Sequence, residues 1–407
     1  MKSGYNPYNP GAGAPPPELA GRETILKHAQ ETIERTKNAR GTKSLMMLGL
    51  RGVGKTVLLN RIDQLAETAG CETANFEANL ERSLPELFTP QLYRLLLKLD
   101  RRKRVGAQVR KAFGLLRGFA SVFKVKYGDF EVGLSNETTT GDLTIDLTDL
   151  FVAIGEAAKS RKTVAVILID EVQDIAKSDL SALIMALHKI SQRQLPLLLF
   201  GAGLPQLAKL AGNAKSYAER LFDYPDVGRL DGKSARAALV QPAKQQSVAY
   251  DDDALDIILR ETEGYPYFLQ LWGSHAWEVA PASPITAKHA ETATRKASAA
   301  LDKGFFKSRF DRLTDRQNDY ARAMAELGPA PATSTAVANV LGITVKQAAP
   351  IRDEVIKKNM AYSPKRGLVA FTVPKFNEFM KRAIPNVATK KGAAQGKRRQ
   401  TKAQKDS

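Results

Sequence analysis

Continuous apolar runs alternate with helical patterns along the first 230 residues. Residues 164–169 read VAVILI, and residues 197–200 have the same character. Such runs are typical of parallel strands that are covered on both faces. Shorter strands are predicted at 44–48 and 72–76, and helices at 22–38, 57–69 and 149–160. The alternation predicts an α/β domain over residues 20–230, with a parallel sheet sandwiched by helices.

The pattern becomes purely helical after residue 230. One amphipathic stretch begins after three aspartates at 251–253 and ends at Gly264, and residues 267–279 are apolar and aromatic. Acidic residues at the start of a helix and glycine at its end are common boundary signals. Residues 231–302 are therefore expected to form an all-α lid.

The last folded segment, residues 303–385, combines three helical patterns with two short strands. Thr314 and Gln317 are spaced as a capping box, and so are Thr344 and Gln347. The strands, at 361–363 and 368–373, flank the turn 364–367. Three helices followed by a hairpin predict a winged-helix domain.

Three segments do not follow these patterns. Residues 1–19 are rich in proline and glycine, so we expect a disordered leader. An insertion at about 98–145 should hold a basic helix, with eight Lys/Arg in residues 98–117, and a hairpin within 122–134. The basic helix is either a track for phosphates or a solvated face. Residues 386–407 hold seven Lys/Arg and one Asp, and are expected to form a disordered basic tail.

Composition adds a strong positive charge. The 407 residues carry a formal net charge of +18, which favours a polyanionic partner such as nucleic acid or an anionic membrane face. No apolar run approaches the ~18 residues of a membrane span. One cysteine and four histidines exclude an internal disulfide and disfavour a transition-metal centre. We expect a cytoplasmic protein without a membrane partner, for which the nucleoid is one place of action.

The strongest motif follows the first predicted strand and precedes a helix. It matches G-x-x-x-x-G-K-[ST] with Gly49, Leu50, Arg51, Gly52, Val53, Gly54, Lys55 and Thr56. Glycines let successive backbone N–H groups point at phosphate oxygens, and the helix N-terminus adds a positive end. Lys55 would reach the β- and γ-phosphates, and Thr56 would offer its hydroxyl to Mg²⁺. We predict ATP and Mg²⁺ as ligands, with Val57 closing the binding segment.

A pair of acidic residues ends the apolar strand at 164–169. Asp170 would hold Mg²⁺ through water, and Glu171 would polarise the attacking water. An acidic turn after a strand is common, so the pair gains its meaning from the phosphate loop.

At this point the chain resembles the AAA+ ATPases, close to the origin-recognition and archaeal-type ATPases, with features of the signal-transduction ATPases with numerous domains. The resemblance covers roughly residues 20–385. It rests on the phosphate loop and on five other motifs: Gly21-Arg22-Glu23, Ile169-Asp170-Glu171, LLLFGAG at 197–203, Glu219-Arg220-Leu221-Phe222 and Gly264-Tyr265-Pro266.

The resemblance implies further roles. Arg220 looks like an arginine finger that reaches a neighbour's γ-phosphate; the alternative is a surface salt bridge. Pro266 resembles a proline on the adenine side. The chain departs from the family at 201–203, where no polar sensor ends the fourth strand, and at 264–266, where the lid has no arginine. Slow hydrolysis, stimulated by DNA or by self-association of the ATP-bound chain, is therefore expected.

The winged helix supplies the candidate DNA contacts. Its third helix, at 344–358, would be the recognition helix, with Lys346, Gln347 and Arg352 as contacts. Lys365 and Arg366 at the wing tip would touch phosphates. Pro350 is expected to distort this helix or delay its start. The alternative is a winged helix that contacts protein.

Together these observations predict a slow ATPase that acts as a nucleotide-dependent switch or remodeller on DNA, in replication, transposition or a mobile-element or defence role. The alternative is an ATP-gated regulatory scaffold with vestigial hydrolysis. A small-molecule P-loop kinase is disfavoured, because no acceptor motif is found and the wing has no place in such an enzyme. The client protein is not identifiable from the sequence.

Overall fold

The computed structural model describes residues 1–11, 13–100, 106–125 and 139–385. At its centre lie five parallel strands, β1 (Ser44–Leu48), β2 (Glu72–Glu77), β3 (Ala165–Asp170), β4 (Leu197–Gly203) and β5 (Phe222–Asp223). Their order in the sheet is β2-β3-β4-β1-β5. The four strands expected from apolar runs are thus present, and β5 extends the sheet beside β1.

Eight helices surround this sheet: α1 (Glu23–Lys37), α2 (Lys55–Thr68), α3 (Leu84–Asp100), α4 (Ala107–Val122), α5 (Leu143–Ser160), α6 (Lys177–Gln192), α7 (Leu207–Ala214) and α8 (Ala218–Leu221). Every residue of β3 is buried. Val166 and Leu168 pack into the core shared with α1 and α2, whereas Ile167 and Ile169 pack into the core shared with α3 to α6. The predicted α/β sandwich is confirmed.

The insertion differs from the expectation. Residues 98–117 do not form one basic helix, since α3 ends at Asp100 and α4 begins at Ala107. The Nζ of Lys98 donates to the carbonyl of Thr73 at 3.1 Å, and α4 buries an apolar face that includes Phe119. In α4 the apolar face is thus packed against the domain, whereas Arg110, Lys111 and Arg117 are exposed and form a solvated face. Residues 101–105 lie outside the described residues. Of the hairpin expected within 122–134, residues 126–134 lie outside the described residues, as does the basic tail.

Four helices follow the sheet domain: α9 (Gly232–Gln245), α10 (Asp252–Thr262), α11 (Pro266–Val279) and α12 (Ala287–Ala300). Their apolar residues, such as Leu239, Ile258 and Phe268, belong to the same buried core as α1 and α2. The helical lid is thus continuous with one face of the sheet domain.

The N-terminal segment (residues 1–19) is not the disordered leader that its composition predicted. Tyr8 is buried, and its hydroxyl donates to the carbonyl of Leu239 in α9 at 2.6 Å. Asn6 donates to the Ser274 hydroxyl of α11 at 2.9 Å. Proline and glycine suit an extended chain that follows the lid surface, and one aromatic anchor with several hydrogen bonds is enough to order it.

The C-terminal domain contains the predicted sequence of elements. After a π-helix at Leu301–Phe306, its elements are α13 (Lys307–Phe310), α14 (Asp315–Glu326), β6 (Ala332–Thr333), α15 (Ser334–Leu341), α16 (Val345–Lys357), β7 (Ala361–Tyr362), β8 (Leu368–Phe371) and α17 (Phe376–Ala383). The three strands pair antiparallel in the order β6-β8-β7. No helix among the described residues has the length and apolar character needed to cross a lipid bilayer.

Both predicted capping boxes of this domain are present, at Thr314 with Gln317 and at Thr344 with Gln347. The second one starts α16 at Val345, ahead of Pro350. The expected delay of the helix start is therefore wrong, because the cap fixes the start and the proline lies inside a continuous helix.

Candidate nucleotide site

The phosphate loop joins the carboxyl end of β1 to the N-terminus of α2. Gly52 and Gly54 have φ angles of +84° and +93°, which residues with a side chain rarely adopt. The loop therefore curls around its own N–H groups, as a site for phosphate oxygens requires. The site lies at the carboxyl edge of the parallel sheet, where ligands of open α/β sheets bind.

Lys55 is the most deeply buried cation of the site, with 6% of its surface exposed. Its Nζ donates to the carbonyls of Gly49 at 3.0 Å and Leu50 at 2.9 Å. Burial lowers the pKa of Lys55, against the opposite effect of the carboxylates of Glu171 and Asp170. An ammonium held only by carbonyls retains the capacity to bind an anion.

Thr56 and Asp170, the two predicted metal residues, are in contact. The hydroxyl of Thr56 donates to Oδ2 of Asp170 at 2.5 Å, and the backbone N–H of Glu171 donates to Oδ1 at 2.8 Å. Burial raises the pKa of Asp170. No group of three or more His, Cys, Asp or Glu side chains in the described ranges could hold a metal ion. One hydroxyl and one carboxylate nevertheless fit Mg²⁺, because this ion keeps several water ligands and phosphate oxygens of the substrate commonly complete its coordination shell.

The carboxylate of Glu171 is held from two sides. Nη2 of Arg51 lies 3.5 Å from Oε1, and Nε2 of Gln173 donates to Oε2 at 2.6 Å. Glu171 itself has a left-handed backbone, with a φ of +51°. The Nε of Arg51 is buried without a hydrogen-bond partner. Gln173 was not identified from the sequence, because a glutamine two residues after an acidic pair carries no distinctive pattern.

A cavity of about 330 Å³ lies over the phosphate loop. Its lining includes the predicted residues Arg51, Gly52, Val53, Gly54, Lys55, Thr56, Val57, Asp170, Glu171 and Pro266. Gly49 and Leu50 do not line it, but their carbonyls hold Lys55. The structure thus brings the predicted nucleotide and metal residues together around one cavity.

The lid closes one wall of this cavity. Pro266 is the first residue of α11, and the N–H of the next residue, Tyr267, donates to the Gly52 carbonyl at 3.2 Å. The hydroxyl of Tyr265 donates to the Arg51 carbonyl. Burial raises the pKa of Tyr265, so the phenol remains a donor at neutral pH. The start of α11 is therefore fastened to the phosphate loop itself.

The N-terminal segment closes another wall. Its residues 9–11, 13–14, 16 and 18–19 line the cavity, and the N–H of Asn9 donates to the side chain of Gln270 in α11 at 3.1 Å. The segment is anchored to the lid at Tyr8 and leads into α1 of the sheet domain. It therefore connects lid and sheet domain across the site.

Two further arginines face the cavity. The sequence offered Arg22 only as part of the motif at 21–23, without a role, and did not indicate Arg309. Arg22 donates from Nη2 to the carbonyls of Val53 at 3.1 Å and Gly228 at 2.5 Å, which ties the phosphate loop to the segment after β5. The guanidinium of Arg309 lies 3.7 Å from the centre of the Phe305 ring. Burial and nearby Arg51 lower the pKa of Arg309. Arg309 forms no ion pair with any carboxylate of the described residues, so the cavity carries excess positive charge.

Arg220 lies away from this cavity. It is in α8, two residues before Phe222, and Phe222 pairs with Ser44 at the amino end of β1. The phosphate loop follows the opposite end of that strand. Arg220 forms no ion pair within the part of the chain that the structure describes, so the surface salt bridge considered as its alternative role is not found there. It cannot reach the phosphate loop of its own chain without rearrangement.

The five candidate DNA contacts fall into two groups. Lys346, Lys365 and Arg366 are exposed. The side-chain oxygen of Gln347 instead accepts from the Thr344 N–H at 3.1 Å, as part of the helix cap. Arg352 donates to the carboxylate of Asp353 at 2.8 Å and to the Ser334 hydroxyl at 3.2 Å. Only the first group has unengaged charged ends.

The C-terminal domain touches the nucleotide site directly. Nδ2 of Asn359, two residues after α16, donates to Asp174 at 3.0 Å, three residues beyond Glu171. The backbone N–H of Arg51 donates to the Thr372 carbonyl at 3.3 Å, and the Thr372 hydroxyl donates to the Asn359 carbonyl at 2.8 Å. These contacts join the domain to both the phosphate loop and the acidic loop.

Two family models match parts of the chain. Residues 18–200 match the AAA ATPase domain, and residues 303–380 match a domain of unknown function. No curated protein sequence matches the chain.

Among solved structures, the chain is similar to the Walker-type ATPase PABY2304 of Pyrococcus abyssi, with 14% identity and a TM-score of 0.56 over 89% of this chain and 96% of that chain. The RuvB Holliday junction branch migration motor of Thermotoga maritima matches with 14% identity and a TM-score of 0.43, over 89% and 95%. The Orc1 protein of Aeropyrum pernix in complex with DNA matches with 15% identity and a TM-score of 0.44, over 92% and 95%. The first similarity shows a shared fold, and the two lower scores support no further conclusion.

Proposed function

We propose that the chain, whose residues 18–200 match the AAA ATPase domain, binds ATP with Mg²⁺, hydrolyses it slowly and uses the nucleotide state as a switch on DNA. The observation that carries this proposal is the cavity over the phosphate loop. It joins a buried lysine, a Thr56–Asp170 pair and Glu171 to the lid and the N-terminal segment. Positive charge from Arg22, Arg51 and Arg309 suits a triphosphate.

The side chains divide the chemistry as follows. Lys55 would exchange its carbonyl partners for phosphate oxygens, and Thr56 and Asp170 would hold Mg²⁺, the latter through water. The metal ion supplies positive charge that offsets charge developing on the phosphates. Glu171 polarises the attacking water. Pro266 and the N-terminal segment line the same cavity and would bound the space for the base.

Two features support slow hydrolysis that depends on assembly. Residues 201–203 are Gly-Ala-Gly, so the end of β4 offers no polar side chain to the terminal phosphate. Arg220 lies at the other end of the sheet and would act only on a neighbouring chain's nucleotide. An arginine supplied in this way can raise the rate by about 10³–10⁵. ATP-dependent self-association would therefore precede efficient turnover.

The link to DNA rests on charge and on the contacts of the C-terminal domain. Lys346, Lys365 and Arg366 would touch phosphates from the helix and the wing of a winged-helix domain. Asn359, just after the candidate recognition helix, contacts Asp174 beside the catalytic carboxylate. Nucleotide state would thereby alter the position of the DNA-binding surface. Action in the cytoplasm, including at the nucleoid, is consistent with this role.

The proposal is tested by measuring particle mass with and without ATP on duplex DNA, for the wild-type protein and Lys55→Ala. We expect ATP to increase assembly on DNA for the wild type alone. Assembly that ignores nucleotide in both proteins would contradict the switch.

One observation favours a second candidate, an ATP-gated scaffold whose winged helix binds protein. Gln347 and Arg352 are engaged within the domain and present fewer free groups to a DNA groove than the sequence suggested. This alternative predicts that Lys365→Ala/Arg366→Ala leaves DNA affinity unchanged. The DNA switch predicts weaker binding and a smaller salt dependence.

A further inference from the structure

The end of β4 lacks a polar side chain, yet a polar group occupies that place in space. The Oε1 atom of Gln173 accepts from the backbone N–H of Leu204, the residue after β4, at 2.9 Å. A Cβ atom added to Gly203 would lie 2.6 Å from the same oxygen. The missing side chain at Gly203 is thus what leaves room for Gln173.

The other end of the Gln173 amide faces the catalytic carboxylate. Its Nε2 donates to Oε2 of Glu171 at 2.6 Å and lies 3.3 Å from Oδ1 of Asp174. The assignment of oxygen and nitrogen follows from the partners, since an N–H needs the oxygen and carboxylates need the NH₂ group. With only 9% of its surface exposed, Gln173 is held at both ends in one orientation.

Glu171 has a competing partner. Nη2 of Arg51 lies 3.5 Å from its other oxygen, which is longer than a hydrogen bond. Without the amide of Gln173, the carboxylate would be free to turn toward the guanidinium. A carboxylate engaged by arginine has fewer lone pairs available for water.

We infer that Gln173 is the positioning residue of Glu171, and that its amide acts from the space left open by the glycine at the end of β4. This inference rests on the proposed hydrolysis of ATP. Gln173 spans the distance between the residue after β4 and Glu171, and so connects the end of the central strand β4 to the residue that polarises water.

The direct test is Gln173→Met, which keeps the length of the side chain and removes both hydrogen bonds. We expect kcat to fall about 10- to 100-fold, the range typical when a residue that orients a reactive group is lost. KM and the affinity for ATP should stay within about twofold, because Gln173 does not line the cavity. Thermal unfolding of both proteins checks that the variant is folded.

A rescue experiment separates positioning from general damage. Gly203→Asn in the wild-type protein would collide with Gln173, and we expect it to lower kcat. In the Gln173→Ala background the same substitution has room, since the other close atom is the end of the flexible Leu207 side chain, 2.9 Å from an added Cβ. There it should restore part of the lost kcat.

The outcomes are distinguishable. An active wild type with an equally active Gln173→Met overturns the role of Gln173 and leaves the proposed function intact. A wild type that binds ATP but never hydrolyses it, at any protein concentration and with DNA, contradicts the proposed hydrolysis itself. Equal losses in Gln173→Ala with and without Gly203→Asn would mean that the amide does not replace a β4 side chain.

Discussion

The side-chain amide of Asn359 donates to the carboxylate of Asp174 at 3.0 Å, and this bond joins the end of the candidate DNA-recognition helix to the loop that carries Glu171. Burial raises the pKa of Asp174, and the bond to Asn359 opposes that rise. The hydrogen bond to this half-buried carboxylate comes from another domain. Its presence therefore depends on how the two domains are placed, because separating them removes the partner of Asp174.

Asn359→Ala should therefore uncouple the two domains. A hydrogen bond to a charged group contributes about 1.5–3 kcal/mol, so we expect the ratio of DNA affinities with ATP and ADP to move toward one by about tenfold. Titrations of labelled duplex DNA in each nucleotide check this. Asn339→Ala, an exposed asparagine in α15, is the matched control and should keep the wild-type ratio. An unchanged ratio in Asn359→Ala would show that this contact transmits nothing.

The raised pKa of Asp170 should make both Mg²⁺ binding and the stability of the protein depend on pH. Because burial raises its pKa, protons compete with Mg²⁺ at a higher pH than at an ordinary aspartate. Because the folded state binds this proton more tightly than the unfolded state does, ionisation of the carboxyl lowers the free energy of unfolding. The loss is absent below the unfolded-state pKa and develops as the pH rises through the folded-state pKa. Asp170→Asn should thus raise the unfolding temperature of the nucleotide-free protein at neutral pH.

Mg²⁺ should strengthen ATP binding by the wild-type protein, and in Asp170→Asn this gain in affinity should be at least about tenfold smaller. Calorimetric titrations of ATP in the presence of Mg²⁺ or EDTA, repeated as the pH is lowered, measure this gain in affinity for both proteins. If Mg²⁺ strengthens binding equally in Asp170→Asn, this carboxylate is not the metal residue.

The N-terminal segment depends on a glycine of the lid. A Cβ atom at Gly273 in α11 would lie 2.7 Å from the ring of Tyr8. Gly273→Ala should displace the segment, cost about 1–3 kcal/mol of unfolding free energy and weaken ATP binding. Gly212→Ala is the control, because α7 has open space there and alanine usually stabilises a helix by about 0.5–1 kcal/mol. Denaturant unfolding and ATP titration of the two variants test this prediction. If Gly273→Ala stabilised the protein as much as Gly212→Ala, the packing of Tyr8 against Gly273 would be contradicted.

Much of the nucleotide site was predictable because its signals are local. The phosphate loop, the strand before it and Asp170-Glu171 are contiguous residue patterns, and the structure places them around one cavity. Gln173, Arg309 and the N-terminal segment could not be found in this way, because no sequence motif marks them and their roles depend on the folded arrangement, such as the contact between Gln173 and Leu204. The composition of the N-terminal segment predicts disorder, because composition reflects local conformational preference. It does not reveal that Tyr8 is buried against the lid.

The C-terminal domain shows the same limit on a smaller scale. Its capping boxes and strands were predicted from short motifs, whereas the engagement of Gln347 and Arg352 depends on neighbours in the fold. Helical spacing placed both on the candidate recognition helix, but could not show that their polar ends were already occupied.

Arg220 should matter only between chains. Arg220→Ala should leave ATP affinity unchanged and remove the rise of specific ATPase rate with protein concentration, a loss of about 10³–10⁵-fold at saturation. Arg40→Ala is the control, because Arg40 is an exposed arginine that lines, together with Arg220, a small surface cavity distinct from the one over the phosphate loop. Steady-state rates over a range of concentrations decide it. A concentration-independent wild-type rate, or an identical curve for Arg220→Ala, would rule out the finger.

The most direct test of the central claim is calorimetric titration of ATP with Mg²⁺ into the wild-type protein, Lys55→Ala and the exposed control Lys27→Ala. We predict one site per chain for the wild type and the control, and affinity at least about 100-fold weaker for Lys55→Ala, which loses the only ammonium buried beneath the phosphate loop in the described residues. A folded wild-type protein that binds no nucleoside triphosphate, or a Lys55→Ala variant that binds as tightly as the control, would contradict the account.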